Sequence, residues 1–260
     1  MNGETNGVSP SHLEECWPRW QQHFSSEARL RLGAVELVAL ADCTPEVANE
    51  YLSADELEKW AGFGLKKRRA EWLGGRVAAK WAATELLGED AVAWKTLVIR
   101  NEEDGRPYVA TEAHTVAPFI SISHSGDMAA ALAANLPCGL DIQQPGTNIL
   151  RVKKRFALRE EEDILAASLP EAFTETERLT MLWAAKEAAR KMVRTRPLLG
   201  LLEIRLLAGH GGCGTPHEPL ALTFASGREQ VGCPASISVL CFFSDTLAWA
   251  MACPPMPTKE

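Results

Sequence analysis

The sequence predicts an α+β fold made of two similar α/β subdomains. Helical segments precede strand-rich segments in both halves, and the final hairpin pattern SISVLCFFSDTLAWAMA echoes the earlier SISHSGDMAAALAA. The chain has 260 residues, 46% hydrophobic and 23% charged, which excludes a disordered or fibrous protein. We expect a loosely ordered lead-in over residues 1–26, an N-terminal subdomain over 27–137 and a C-terminal subdomain over 138–260.

The first half combines one long helix with a set of strands. Residues 29–41 alternate apolar positions with period two, as a strand does, and Ser53-Ala54-Asp55-Glu56 is a capping box that opens a helix. Residues 66–87 have helical spacing of apolar positions, and Gly88 supplies a stop. Further strands are predicted near 96–100, 106–109, 119–125 and 128–134.

The second half places polar groups on a strand and on a helix. Asp141 and Gln143 share one face of a short strand over 138–143, because residues i and i+2 point the same way. In a helix from about residue 176 to 193, Trp183, Glu187 and Lys191 lie four residues apart on one stripe. Other predicted elements are helices near 151–156 and 160–167 and strands near 201–207, 220–224, 235–243 and 246–252.

Composition excludes several classes of protein. The net charge of −7 argues against general nucleic-acid binding. No apolar run is long enough for a membrane span, and the first 25 residues lack a secretory signal pattern, so we expect a cytoplasmic protein without a membrane partner. The seven cysteines are scattered, with no Cys-x-x-Cys pair, which is typical of reduced thiols.

Basic residues cluster at two places in this acidic chain. The runs 66–69 and 151–155 each contain four Lys or Arg residues. Each run can be a local anion site or simply a solvated helix face, and the sequence leaves both open.

Asp141, Gln143 and Glu187 form a candidate metal site. They offer oxygen ligands without sulfur or imidazole, which suits Mg²⁺ completed by water and substrate phosphates. The alternative is that Asp141 lies in a turn while Glu187 forms an ordinary surface pair with Lys191. Spacing alone does not separate the two.

Candidate phosphate donors lie in the first half. Arginine pairs bidentately with phosphate oxygens, so an anionic ligand contacted by both halves is a consistent hypothesis. His124 and the neighbouring serines can equally be ordinary strand residues. The candidates are Arg68, Arg69, Arg76, Arg106, Ser123 and His124.

Two rival sites and one rival function are weaker. A zinc site at His210, Cys213, His217 and Cys233 lacks any familiar ligand spacing. A nucleophilic pair at His124-Ser125 fails because adjacent strand residues point to opposite faces. An unrelated Mg²⁺-dependent nucleotide enzyme has no support, since no Gly-x-x-x-x-Gly-Lys loop occurs.

Six motifs follow one another along the chain: Gly75-Arg76 with Lys80, Gly105-Arg106-Pro107, Ser121-Ile122-Ser123-His124-Ser125, Gly139-Leu140-Asp141-Ile142-Gln143, Arg155-Phe156 with Glu161, and Trp183-Ala184-Ala185-Lys186-Glu187 with Lys191. Taken in this order, they resemble the motifs of the 4′-phosphopantetheinyl transferases. The likeness spans about Val35 to Lys191 and is greatest for the longer, two-subdomain, surfactin-synthetase-activating type.

The resemblance implies a pseudo-twofold monomer that uses coenzyme A as its substrate. It would transfer the 4′-phosphopantetheine arm to a serine of an acyl or peptidyl carrier protein and release adenosine 3′,5′-bisphosphate. Mg²⁺ would be held by Asp141 and Glu187; many relatives carry Glu at position 143, so Gln143 leaves the number of bound ions open. A catalytically silent relative that binds coenzyme A or a carrier protein is the alternative.

The resemblance also assigns roles to charged residues. Lys186, Lys191, His124 and the arginines would neutralise the pyrophosphate. Glu187, or Glu161 through a water, would accept the serine proton, and we favour Glu187. The basic stretches 151–155 and 190–196 are candidates for docking an acidic carrier protein.

Overall fold

The structure, a computed structural model, describes residues 11–88, 94–110, 117–226, 234–244 and 246–254. It divides into two compact units: the first is built around Leu30–Ala133, and the second combines Cys16–Arg29 with Ala134–Glu260. The division therefore falls a few residues before the predicted boundary at 137.

The helices and strands largely follow the predicted order. The helices are α1 (Ser11–Gln21), α2 (Pro45–Tyr51), α3 (Ala54–Ala61), α4 (Lys66–Leu87), α5 (Asn148–Val152), α6 (Arg159–Ser168) and α7 (Glu175–Met192). The strands are β1 (Leu30–Glu36), β2 (Val98–Asn101), β3 (Pro107–Ala110), β4 (Phe119–Ser125), β5 (Met128–Ala134), β6 (Gly139–Gln143), β7 (Ile204–His210), β8 (Leu220–Ser226), β9 (Ile237–Ser244) and β10 (Leu247–Cys253).

The two units share one sheet topology. The first sheet has the order β1-β5-β4-β3-β2 and the second has the order β6-β10-β9-β8-β7, so each places its last strand beside its first. In each unit the longest helix packs on the sheet, α4 against β1 and β4, and α7 against β6, β10 and β9. The predicted α+β fold with two similar α/β subdomains is confirmed. The pseudo-twofold axis stays a prediction.

Helix α1 occupies much of the predicted lead-in. Cys16, Trp20 and Phe24 are buried, and they lie four residues apart, which is helical spacing. Trp20 stacks on Phe242 with ring centroids 4.7 Å apart, and its Nε1 donates to the carbonyl oxygen of Pro216 at 2.8 Å. We expected a loosely ordered segment, whereas this apolar stripe holds residues 16–24 against the rest of the second unit.

Helix α7 brings its polar residues close to strand β6. A capping box starts the helix, with the Glu177 N–H donating to Thr174 Oγ1 at 3.2 Å. Small residues then face the sheet, and a Cβ on Gly139 would lie only 1.8 Å from the carbonyl oxygen of Ala188. Glycine at position 139 therefore permits a close approach that places Glu187 and Lys191 near Asp141.

Candidate functional site

Asp141 is a buried carboxylate that pairs with the last turn of α7. It lies in β6, opposite Ala250 of β10, and is 6% exposed. Its Oδ1 accepts a hydrogen bond from Lys191 Nζ at 2.7 Å, and the same Nζ donates to the carbonyl oxygen of Leu140 at 2.8 Å. The Lys191 cation is therefore held beside β6.

Glu187 is a second buried carboxylate, 9% exposed. Its Oε2 accepts from Arg190 Nη2 at 2.7 Å. Burial raises the pKa of Glu187; the Arg190 cation lowers it, the Asp141 charge raises it again, and Lys191 lowers it. Glu187 thus interacts electrostatically with Asp141 and is not a member of an exposed surface pair with Lys191.

Gln143 lies at the end of β6 and is partly exposed. It contributes to a groove of about 320 Å³ in the second unit, together with Trp183 and Thr180 of α7 and Ile149 and Val152 of α5. The amide of Gln143 therefore reaches a solvent-accessible space beside the helix that carries Glu187.

The donor set fits a hard divalent cation. Asp141, Gln143 and Glu187 supply only oxygen atoms, and the like charges of the two carboxylates help to raise the pKa of Glu187. A cation bound there would relieve that repulsion. Within the described ranges no three His, Cys, Asp or Glu side chains gather as a metal site. The predicted set contains only two such residues, because position 143 is an amide.

The alternative zinc site gains no support from the described part of the chain. Cys213 Sγ lies 3.3 Å from Glu218 Oε2, and His217 Nδ1 lies 3.4 Å from Cys16 Sγ. Cys233 lies outside the described residues. These two contacts use separate partners instead of converging on one point.

A buried ion pair recurs in both units. In the first unit, Lys80 Nζ lies 2.6 Å from Glu56 Oε2 and donates to the carbonyl oxygens of Tyr51 at 2.7 Å and Trp94 at 2.9 Å. The other carboxylate oxygen of Glu56 accepts from the N–H of Ile99 at 2.9 Å. The pair ties α3 and α4 to the first sheet.

Glu161 and Lys186 form the same arrangement in the second unit. Lys186 Nζ lies 2.7 Å from the Glu161 carboxylate and donates to the carbonyl oxygens of Phe156 at 2.6 Å and Leu201 at 3.2 Å. Glu161 Oε1 accepts from the N–H of Leu206 at 2.8 Å. Both side chains are at most 2% exposed. This placement favours a structural role over the predicted catalytic role of Glu161 and the predicted phosphate contact of Lys186.

Arg76 of the first unit binds a side chain at the start of the turn that carries Arg106. Arg76 is 6% exposed, and its guanidinium lies over Trp72, 4.5 Å from the ring centroid. Its Nη2 donates to Asn101 Oδ1 at 2.7 Å, and Asn101 lies at the start of the turn that carries Arg106. Sequence reasoning missed Asn101.

Arg68 and His124 both approach Glu71, which sequence reasoning also missed. Glu71 Oε2 lies 3.9 Å from Arg68 Nη1, and Glu71 Oε1 lies 3.8 Å from His124 Nδ1. Its position three residues after Arg68 on α4 was the available signal. Ser123 is buried at 7% exposure, whereas the His124 side chain is 40% exposed.

Arg69 lies in a small pocket of about 140 Å³ with Lys66, Asp42, Cys43 and Trp60. Its Nε is buried without a hydrogen-bond partner among the described residues. Lys66 Nζ pairs with Asp42 Oδ1 at 2.9 Å and lowers the pKa of that carboxyl. Because Asp42 compensates Lys66, Arg69 is the cation of this pocket that suits an anionic group.

Comparison with known proteins identifies the family. The holo-[acyl-carrier-protein] synthase of Staphylococcus carnosus strain TM300 is 40% identical over 89 residues, 33% of this chain and 74% of that protein. The Bacillus subtilis strain 168 protein of the same name is 29% identical over 99 residues, 36% of this chain and 81% of its own length. No protein-family model matches the chain.

A solved structure is also similar in part. The holo-(acyl-carrier-protein) synthase from Bacillus anthracis strain Ames, in complex with CoA (3′,5′-ADP), is 25% identical and aligns over 40% of this chain and 92% of its own, with a TM-score of 0.38.

The architecture defines the protein as an α+β chain with two sheets of the same strand order. The chain belongs to the holo-[acyl-carrier-protein] synthases, which are 4′-phosphopantetheinyl transferases. The family prediction is thereby confirmed. In the described part of the chain, no helix is both long and apolar enough to cross a bilayer.

Proposed function

We propose that this protein transfers the 4′-phosphopantetheine arm of coenzyme A to a serine of an apo acyl or peptidyl carrier protein. The names of the relatives support a carrier protein as the acceptor. The observation that carries the proposal is that two buried carboxylates of the second unit, Asp141 and Glu187, interact electrostatically while Lys191 donates to Asp141. Two similar units in one chain fit the longer branch of the family.

The second unit would hold the metal. Asp141, Glu187 and the amide oxygen of Gln143 are the proposed ligands, because Gln143 shares a face of β6 with Asp141 and Glu187 interacts electrostatically with Asp141. Bound Mg²⁺ would supply positive charge against the pyrophosphate of coenzyme A. Lys191 stands beside Asp141 and adds a further cation to the same surface.

Glu187 is the proposed general base. In the reaction, the serine oxygen bonds to the β-phosphorus, the bond from that phosphorus to the departing adenosine 3′,5′-bisphosphate breaks, and the serine proton moves to the carboxylate. In the metal-free protein, burial raises the pKa of Glu187, which strengthens this carboxylate as a proton acceptor. Among the described residues, hydrogen-bond donors reach only the Oε2 atom of Glu187, so no protein donor occupies its Oε1.

The contacts of Glu161 make it the weaker candidate. One of its oxygens accepts from Leu206 and the other from Leu158, and the carboxylate also binds Lys186. Lys186 likewise directs its ammonium at protein oxygens. Glu161 and Lys186 are therefore left out of the proposed reaction.

The first unit would bind the anionic part of coenzyme A. Arg106 and His124 lie at strand ends, and Lys66, Arg68 and Arg69 lie in the first turn of α4. We place one phosphate group in the pocket of about 140 Å³ around Arg69, with Arg69 as its cation, because Lys66 is already paired with Asp42. Ser123 and Arg76 are buried and would support this surface from beneath.

An acidic carrier protein would dock on the basic surface of the second unit. Arg151, Lys154 and Arg155 are exposed on α5 and the short helical turn after it. Lys153 forms ion pairs with Glu162 at 3.0 Å and Glu175 at 3.1 Å, so it contributes less positive charge to the docking surface. Steering by exposed cations accelerates association and weakens with salt.

The test is a transfer assay. The protein is incubated with coenzyme A, Mg²⁺ and several apo carrier proteins, and each carrier is weighed intact. We expect a gain of one phosphopantetheine, with release of adenosine 3′,5′-bisphosphate, and no gain when EDTA replaces Mg²⁺ or when the carrier serine is alanine. No gain with any carrier, despite coenzyme A binding, would favour the silent relative, for which the missing charge at Gln143 is the motivating observation. Monomeric assembly and a cytoplasmic location stay predictions, checked by light scattering and cell fractionation.

A further inference from the structure

Asn101 connects a buried arginine of α4 to the turn that carries Arg106. Asn101 Oδ1 accepts from Arg76 Nη2 at 2.7 Å, and Asn101 Nδ2 donates to the carbonyl oxygen of Gly105 at 2.6 Å. The oxygen of the Asn101 amide therefore binds helix α4, and its nitrogen binds the residue before Arg106.

The turn needs an anchor of this kind. Asn101 is the last residue of β2 and lies opposite Pro107, whose nitrogen cannot donate to the strand ladder. Between them, the Glu102 N–H donates to the Arg106 carbonyl oxygen at 2.8 Å, and Gly105 has a φ of +86°, which favours glycine. The Asn101 side chain supplies a bond where the ladder lacks one.

Arg76 is placed to support this anchor and not to meet a ligand. It is 6% exposed and packed over Trp72, 4.5 Å from the ring centroid. Within the described ranges no carboxylate lies at ion-pair distance from Arg76. Burial lowers the pKa of Arg76 to about 10, although the more distant Glu56 charge raises it in part. A buried guanidinium with no carboxylate at ion-pair distance depends on its hydrogen bonds, and among the described residues the bond of Arg76 to Asn101 fills this role.

We propose that Arg76 and Asn101 are positioning residues that hold the turn at Gly105 and thereby orient Arg106 toward an anionic group of coenzyme A. The proposal rests on the proposed function for the ligand, while the anchoring of the turn stands on the contacts alone. It reassigns Arg76 from contacting coenzyme A directly to acting through Asn101.

The first experiment measures hydrogen exchange of the turn without any ligand. In Asn101→Ala, we expect the Glu102 and Gly105 amides to exchange about tenfold faster, which is the effect of about 1.4 kcal/mol. Arg100→Ala is the matched control, because Arg100 is also on β2 but is exposed and pairs only loosely with Asp55 at 3.3 Å. Unchanged exchange in Asn101→Ala overturns the anchor.

The second experiment is a double-mutant cycle on coenzyme A binding by calorimetry. Asn101→Ala should weaken binding about tenfold in the wild-type background and have no further effect in Arg106→Ala, because the two act through one contact. Equal weakening in both backgrounds overturns the positioning role. Should Asn101→Ala fail to fold, Asn101→Asp keeps the acceptor for Arg76 and loses the donor to Gly105. If the wild-type protein does not bind coenzyme A, the proposed function is contradicted. The hydrogen-exchange experiment then still tests whether Asn101 anchors the turn.

Discussion

Lys186 Nζ lies 2.7 Å from the carboxylate of Glu161, in the same arrangement that Lys80 and Glu56 form at 2.6 Å in the first unit. In both units the lysine comes from the long helix, its ammonium donates to two backbone carbonyls, and the glutamate accepts from a strand N–H. Only the second unit follows its lysine with a carboxylate: Glu187 comes after Lys186, whereas Trp81 comes after Lys80. The ion pair is thus a shared structural feature, and Glu187 is what distinguishes the second unit.

Lys186→Met should destabilise the fold. It leaves the Glu161 charge buried without its partner, which costs about 3–5 kcal/mol. Urea unfolding followed by tryptophan fluorescence measures the change, with Lys154→Met as the exposed control. A loss as small as that of the control would mean that the pair is not structural.

Gly139→Ala should separate α7 from β6. The added Cβ would lie 1.8 Å from the Ala188 carbonyl oxygen, and backbone must move to accommodate it. Overpacking of this kind costs about 1–3 kcal/mol, and we also expect weaker Mg²⁺ binding because Glu187 moves away from Asp141. Gly146→Ala is the control, since nothing lies within 4 Å of its added Cβ. Thermal unfolding measures the loss of stability, and Mg²⁺ titration measures the loss of affinity. Equal thermal midpoints and equal Mg²⁺ affinities in the two variants would contradict the proposed close approach of α7 and β6.

Gln143→Glu should bind Mg²⁺ more tightly. It adds a third carboxylate to Asp141 and Glu187, which increases the attraction for a divalent cation. The same charge should lower the thermal midpoint of the metal-free protein through repulsion. Calorimetric Mg²⁺ titration measures the first effect and a thermal melt in EDTA the second. Unchanged Mg²⁺ affinity would remove position 143 from the metal site.

The raised pKa of Glu187 predicts a pH dependence of metal binding. A protonated carboxylate does not hold the cation, so affinity is full above the raised pKa and falls as the pH drops through it. Because an ordinary glutamate has a pKa of about 4.3, the loss should begin at a higher pH here. The measurement is the rise in thermal midpoint that Mg²⁺ causes, taken from about pH 8 down to about pH 5, where folded proteins are generally most stable. This rise should become smaller as the pH falls. A constant rise would contradict the assignment of Glu187 as a ligand.

The sequence predicts most of the fold because its signals are local. The capping box at Ser53 and the stop at Gly88 both occur as expected, the latter with a φ of +68°. Helix α1 was missed because its stripe of Cys16, Trp20 and Phe24 is short and lies within an otherwise polar segment. Its burial depends on packing partners far along the chain, such as Phe242.

The candidate site was only partly predictable for the same reason. Side chains repeat their direction every two residues in a strand and every 3.6 residues in a helix. This periodicity places Asp141 on one face of β6 and Glu187 with Lys191 on one face of α7, so the three could be assigned to one candidate site. The ion-pair partner of each lysine could not be predicted in this way. Lys186 pairs with Glu161, 25 residues away, and Lys191 pairs with Asp141, 50 residues away. Contacts at such separations arise from tertiary packing, which spacing does not reveal.

The most direct test compares Glu187→Gln with wild-type protein in the carrier-mass assay. We expect the variant to stay folded and to transfer phosphopantetheine about 10²- to 10⁴-fold more slowly, the usual effect of losing a positioned base. The controls are Glu160→Gln, at an exposed position of α6, and Glu161→Gln, whose effect should be on stability and not on turnover per folded molecule. A wild-type transfer rate in Glu187→Gln, or a loss of turnover found only in folded Glu161→Gln, would contradict the assignment of Glu187 as the general base.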